Sequence, residues 1–229
     1  MPINLSVIIP VINEEKNLIK ILANLKKYPD IEFIFVDGGS QDNTVKLIKQ
    51  ANFKVILSPI LRRSYQMNLG AENAQGEILL FLHGDTLLPP NYHQIIKEIV
   101  NQKDFILGAF TLNIDNKKSI FRLLEIMVNV RSNYLSLPYG DQGIFLKKEV
   151  FEQLGKYQDI AIMEDFELVK KAQKHGKIYL AKSAVTTSSR RWDKLGIIKT
   201  TLINQLIIMG YYLKISPEKL ALFYGRMKK

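Results

Sequence analysis

The chain has 229 residues, no cysteine, 47% hydrophobic residues and a formal net charge of +10 from 32 Lys and Arg against 22 Asp and Glu. This length and apolar share suit one α/β domain with a buried core and exclude a disordered chain. The absent cysteines exclude disulfides, thiolate nucleophiles and Cys-ligated zinc, while the positive excess calls for an anionic partner.

Met1–Pro10 has neither a basic stretch ahead of its apolar run nor a small-residue cleavage site, so it reads as the start of a first strand and not as a signal peptide. No run reaches ~18 uninterrupted apolar residues, so no obvious transmembrane helix is predicted. Leu5–Val11 is a continuous apolar strand, followed by a helical pattern over Glu15–Leu25. The alternation repeats as strand Ile31–Val36 and helix Thr44–Gln50, then strand Phe53–Leu57 and helix Ser64–Ala74. It continues as strand Glu77–Leu82 and helix Tyr92–Asn101. Short buried strands spaced by helices predict a mostly parallel sheet covered on both faces, with ligands bound outside the carboxyl ends of the strands.

Beyond Ile106–Ile114 the pattern loosens into a helix at Ser119–Asn133, a Gly-containing loop at Pro138–Leu146 and a helix at Asp165–His175 ended by Gly176 as a C′ residue. A short strand at Ile178–Ala181 and helices at Gly196–Lys214 and Pro217–Tyr224 complete the reading. One domain is expected, with an α/β core over residues 1–190 and a helical segment over 194–229.

The strand ends hold the candidate chemistry. After the first strand come Pro10, Asn13, Glu14 and Glu15, which read by themselves as a strand stop, a helix cap and two acids on a positive helix end. After the second come Asp37, Gly38, Gly39, Ser40 and Asp42, a tight turn beside a carboxylate that needs a partner. After the fourth come His83, Gly84 and Asp85. Extended backbone would aim the imidazole and the carboxylate the same way, so that both address one Mn²⁺ or Mg²⁺ ion on a diphosphate; the alternative is an ordinary turn before Pro89-Pro90. Glu164 and Asp165 open a helix, where the dipole alone would stabilise them.

In their order and spacing these residues resemble the inverting family 2 glycosyltransferases of the GT-A fold. The likeness rests on Val7-Ile8-Ile9-Pro10 with Asn13-Glu14, on Val36-Asp37-Gly38-Gly39-Ser40, and on His83-Gly84-Asp85. It continues through Arg63, Gln66, Asn68 and Gly70, then Gly140-Asp141-Gln142, Glu164-Asp165 and Arg190-Arg191-Trp192, nearly the whole chain. More narrowly, the chain is similar to a compact bacterial branch grouped with carotenoid-acid glycosyltransferases. The resemblance implies a Rossmann-like sheet flanked by helices and a nucleoside pocket lined by Pro10, Glu14 and Asp37. It implies Asp85 as the acid of the metal motif, with His83 standing where many relatives carry another acid. Arg63 is implied to contact phosphate or brace the metal loop. Asp165, with Glu164 beside it, stands where the family places the base that deprotonates the acceptor. Asp141, Gln142, Arg191 and Trp192 then face acceptor or diphosphate. The Gln that processive relatives carry three residues before their Arg is replaced by Ser188, so processivity is not implied.

The expected reaction is transfer from a UDP- or GDP-sugar to a hydroxyl or carboxyl acceptor, with a lipid or carotenoid-like molecule among the candidates. A cytoplasmic place is expected, including the cytoplasmic face of the membrane, with Gly196–Leu213 either lying on lipid or packed on the domain or a second subunit. A nucleotidyltransferase would share a similar sheet but needs a Gly-rich loop, and Pro10–Lys16 contains no glycine. A catalytically silent nucleotide-sugar binder would keep the same residues. A nucleic-acid-binding protein would concentrate its Lys and Arg on one element, whereas here they are scattered.

Overall fold

The computed structural model describes residues 4–227. Eight strands form one sheet: β1 (Leu5–Val11), β2 (Glu32–Asp37), β3 (Lys54–Leu57), β4 (Ile78–Phe81), β5 (Thr86–Leu87), β6 (Phe105–Asp115), β7 (Ile144–Lys147) and β8 (Lys177–Ser188). Their order is β3-β2-β1-β4-β7-β6-β8-β5. The first four pair in parallel, as their unbroken apolar sequences predict, and β7 enters antiparallel between β4 and β6. The expected α/β sheet of mostly parallel strands is therefore present, with β7 and β5 as its antiparallel members.

Alternation along the strands splits the core into two layers. Val7, Ile9, Leu80 and Phe145 face α1 (Glu15–Leu25), α4 (Tyr92–Val100) and α5 (Ser119–Tyr134), through Leu18, Ile96 and Phe121. Ile8, Leu79, Phe81 and Ile144 face α3 (Arg63–Glu72), α6 (Lys148–Gln153) and α7 (Glu164–Ala172), through Met67, Phe151 and Leu168. The remaining helices are α2 (Thr44–Gln50), α8 (Arg190–Leu195), α9 (Ile197–Tyr212) and α10 (Pro217–Met227). A third, smaller core of Met163, Phe166, Ile203, Ile207 and Leu220 seats α9 and α10 against α7.

Three readings are corrected. The short strand at Ile178–Ala181 is the start of the twelve-residue β8, which runs parallel to β6 across an irregularity at Phe110/Thr111. Asn13 is not the cap of α1: it sits at φ 51° and ties two loops together, its side chain accepting from the Gln41 N–H and its own N–H donating to Ser40 Oγ. Gly176 is not a left-handed C′ residue, since α7 ends at Ala172. A Cβ at Gly176 would stand 2.7 Å from the Asp104 carbonyl oxygen, so what the position demands is space.

Candidate active site

The carboxyl ends of β1 and β4 open into a cavity of about 720 Å³, within the range that takes a nucleotide-sized ligand. Pro10, Glu14, Arg63, His83, Asp85, Asp141, Glu164, Asp165, Arg191 and Trp192 all line it. Gln142 and Asp37 do not, and the reasons are local. Gln142 is fully buried and its amide is consumed by protein. Its Oε1 accepts from Ser132 Oγ (2.7 Å), Arg131 and the Tyr139 N–H, and its Nε2 donates to the Phe110 carbonyl at 3.0 Å. It braces the 3-10 turn Gly140–Gln142 and stays off the cavity wall. Asp37 finds the partner it needs inside its own turn, accepting from the Gly39 and Ser40 N–H groups at 2.9 Å each and from the Ser40 hydroxyl.

His83 and Asp85 do not share one direction. The chain leaves β4 and turns, with the Thr86 N–H donating to the His83 carbonyl at 3.1 Å, so the extended alternation expected here is lost. His83 Nε2 lies 3.3 Å from an Arg63 Nη, and Asp85 sits instead with Glu14 and Arg190. Burial, and then the Arg63 guanidinium, push the His83 pKa down to about 3, so the imidazole is neutral at ordinary pH. Among the described residues, no three His, Asp or Glu side chains converge tightly enough to enclose a metal ion by themselves. The Asp85 pKa is raised by burial and by the charges of Glu14 and Asp141, against Arg190. A cation added beside this carboxylate would relieve that repulsion. The site therefore suits a metal that takes one protein carboxylate and completes its coordination with ligand oxygens.

Arg190 is the residue that sequence reasoning quoted without assigning. It forks onto Glu14 with bonds of 2.8 and 3.1 Å and lies 3.9 Å from Asp85, carried there by the unforeseen length of β8. Arg63 binds Glu164, which is 2% exposed, while 40% of the Arg63 side chain stays open to the cavity. Burial would lower the Arg63 pKa, but Glu164 and Asp165 more than offset that and raise it. Two further polar residues of the motifs act as clamps. Gln66 Nε2 donates to the carbonyls of Val11, which ends β1, and Val36, next to the end of β2, and Asn68 exchanges two hydrogen bonds with the Tyr157 backbone.

Asp165 opens α7 behind Met163, which holds a left-handed φ of 72°. Its Oδ2 accepts from the Gly140 N–H at 2.7 Å and its Oδ1 from the Phe166 N–H at 2.8 Å. Burial would raise its pKa, but Arg63 and these two N–H groups hold it below the usual carboxylate value. A Cβ at Gly140 would stand 2.9 Å from Asp165 Oδ2 and 3.1 Å from His83 Nε2, so a larger residue there would push on both side chains. Asp141 is its opposite: burial raises its pKa, and its Oδ1 has no hydrogen-bond partner among the described residues.

The fold and the strand-end residues match a family model described as glycosyl transferase family 2, over residues 6–157. The chain belongs to that family. Curated relatives of this glycosyltransferase include an undecaprenyl-phosphate 4-deoxy-4-formamido-L-arabinose transferase of Pectobacterium atrosepticum. It is 32% identical over 133 residues, covering 53% of this chain and 40% of the relative. Glycosyltransferase AglE of Haloferax volcanii is 39% identical over 90 residues, covering 35% and 30%. The chain thus spans less than half the length of these relatives. Among solved structures, S. aureus TarS 1-349 in complex with UDP-GlcNAc superposes with a TM-score of 0.65 at 20% identity, covering 81% of this chain and 58% of that one. The mannosyltransferase PcManGT from Pyrobaculum calidifontis, in complex with GDP-Man and Mn²⁺, gives 0.63 at 18%, with the same coverage. These two likenesses establish the GT-A fold of the glycosyltransferase.

Proposed function

We propose that this glycosyltransferase moves a sugar from a UDP- or GDP-sugar to a hydroxyl or carboxyl oxygen of an acceptor, inverting the sugar carbon in a single displacement. The observation that carries the reading is one cavity at the strand ends that gathers an acid with raised pKa (Asp85), a cavity-facing guanidinium (Arg63) and an ionised carboxylate at a helix start (Asp165). Pro10 and Glu14 border the nucleoside, and Arg63 meets the diphosphate. Asp165 takes the acceptor proton, the one base that an inverting transfer requires. Glu164 is a positioning residue, because its carboxylate is committed to Arg63. Asp85 would hold a Mn²⁺ or Mg²⁺ ion, which when bound offsets the charge developing on the leaving diphosphate. Mn²⁺ accompanies the nucleotide in the structures of PcManGT and GalNAc-T7, which share the fold.

Because one carboxylate holds a metal weakly without the diphosphate, donor and metal should bind together. A UDP- or GDP-sugar at about a hundred times its Kd, with Mn²⁺, is expected to stabilise the protein by ~2.7 kcal/mol, or roughly 5–10 °C in a thermal shift. The same shift in excess chelator would remove the metal from the reading.

An apolar acceptor is supported from two sides. The P. atrosepticum relative carries the lipid undecaprenyl phosphate in its name. The outward face of α9 exposes Ile198, Leu202, Leu206, Met209 and Leu213, and no Asp or Glu occurs between Lys194 and Ser216, where Lys199 and Lys214 add positive charge. Among the described residues no helix is long and apolar enough to cross a membrane, so the contact proposed is with an anionic bilayer surface. The protein should co-sediment with vesicles containing phosphatidylglycerol and not with phosphatidylcholine alone, and Leu202→Asp with Leu206→Asp should abolish this. A concentration-dependent dimer with no vesicle binding would assign the face to a second copy instead.

A further inference from the structure

The helix α9 carries apolar residues on more than one face: Ile203 and Ile207 are buried on α7, and a second set is exposed on the outside. Between these two faces lies a third, turned into the cavity. Ile208 of α9 and Ala221 and Tyr224 of α10 line it opposite Ile160, Ile162 and Met163. The diphosphate and sugar of a nucleotide sugar are polar and gain little from such a wall. Arg191 stands on this side as well, donating to Asn204 at 2.7 Å and lying 5.0 Å from the Tyr224 ring centroid. Its Nε is buried and has no hydrogen-bond partner among the described residues. A buried donor beside an apolar wall fits a ligand that carries both chemistries.

Resting on the donor and base reading above, we propose that α9 and α10 form an acceptor subsite for an amphiphile, whose apolar chain lies along Ile208 and Ala221 and whose oxygen-bearing head meets Arg191. The family model ends at residue 157, so both helices lie outside the part of the chain that it describes.

The protein's one tryptophan, Trp192, lines the cavity and reports on occupancy through its fluorescence. The probes are acetate, butanoate, octanoate and dodecanoate, titrated below their micellar concentrations into the full chain. Each methylene moved from water to an apolar wall contributes roughly a fourfold gain, so seating three or four gives about a hundredfold tighter binding of dodecanoate than of butanoate. Ile208→Asn and, as a second variant, Ala221→Asn should each weaken dodecanoate binding by about tenfold or more, while the thermal shift with UDP- or GDP-sugar and Mn²⁺ is retained. Ile19→Asn, an exposed residue of α1 far along the chain from the subsite, should leave the titration unchanged. Affinity independent of chain length, or unaltered in both cavity variants, would overturn the subsite. Chain-length-dependent binding in a protein that shows no nucleotide-sugar shift would uphold the subsite and overturn the donor reading instead.

Discussion

Asp165→Asn should lower sugar transfer by about a hundredfold or more, the scale on which a general base contributes, while donor affinity stays within a few-fold of the parent. The base acts on the acceptor, so nucleotide-sugar binding is the readout that should not move. The substitution also has a structural cost. Both carboxylate oxygens accept a backbone N–H, from Gly140 and from Phe166, and an asparagine has one carbonyl oxygen to serve them. Leaving one N–H without an acceptor costs about 1–3 kcal/mol, so a melting curve must accompany the kinetics. Asp141→Asn supplies the contrast. Its carboxyl has the raised pKa and the unpartnered Oδ1, so normal transfer by Asp165→Asn with loss in Asp141→Asn would move the proton to Asp141.

The second large effect is on stability. Arg63→Met strands Glu164, 2% exposed, without its countercharge. Breaking a buried pair in this way costs 3–5 kcal/mol, and the lower end is expected because Arg63 keeps contact with cavity water, so about 3 kcal/mol and roughly 6–12 °C in Tm. Glu164→Gln should cost less, since the amide oxygen still accepts from Arg63. The double variant Arg63→Met with Glu164→Leu should recover most of the loss, because it removes both charges at once. A Tm drop in the double variant equal to the sum of the single ones would show that the two side chains act independently.

The parts of the fold legible in the sequence are those where one local signal and the tertiary environment agree. Leu5–Val11 is buried along nearly its whole length and reads as a strand from its apolar run alone, and Glu15–Leu25 shows its helical face because only Leu18, Ile21, Leu22 and Leu25 are buried. β8 was cut short because Lys182, Ser183 and Thr186 interrupt the apolar pattern, although Val and Thr suit the half-exposed strand that forms there. The short helices α6 and α8 hold too few residues for periodicity to register.

The site was legible to a similar depth. Motif order brought ten of the twelve candidate residues to one cavity, since strand ends fix where a side chain arrives. Motif order does not tell a polar residue that meets ligand from one that holds the loop beside it. Gln142 and Asp37 both brace their own loops, and only their hydrogen bonds reveal it. Arg190 went unassigned for the converse reason. Its partner Glu14 lies 176 residues away, and no local pattern encodes a pairing at that separation.

The five-residue core that seats α9 and α10 also divides the chain's heritable information. The strand ends that gather the donor-side residues lie within one stretch of sequence, and the cavity's apolar wall lies in another, joined to it chiefly through Met163 and Phe166. On the acceptor subsite proposed above, a lineage can rewrite Ile208, Ala221 and their neighbours and change what is glycosylated, while the residues assigned to the sugar nucleotide pass on untouched. For an engineer the same boundary marks a graft point. A different pair of helices, given side chains that fill the places of Ile203, Ile207 and Leu220, would sit on the same catalytic sheet with a new preference.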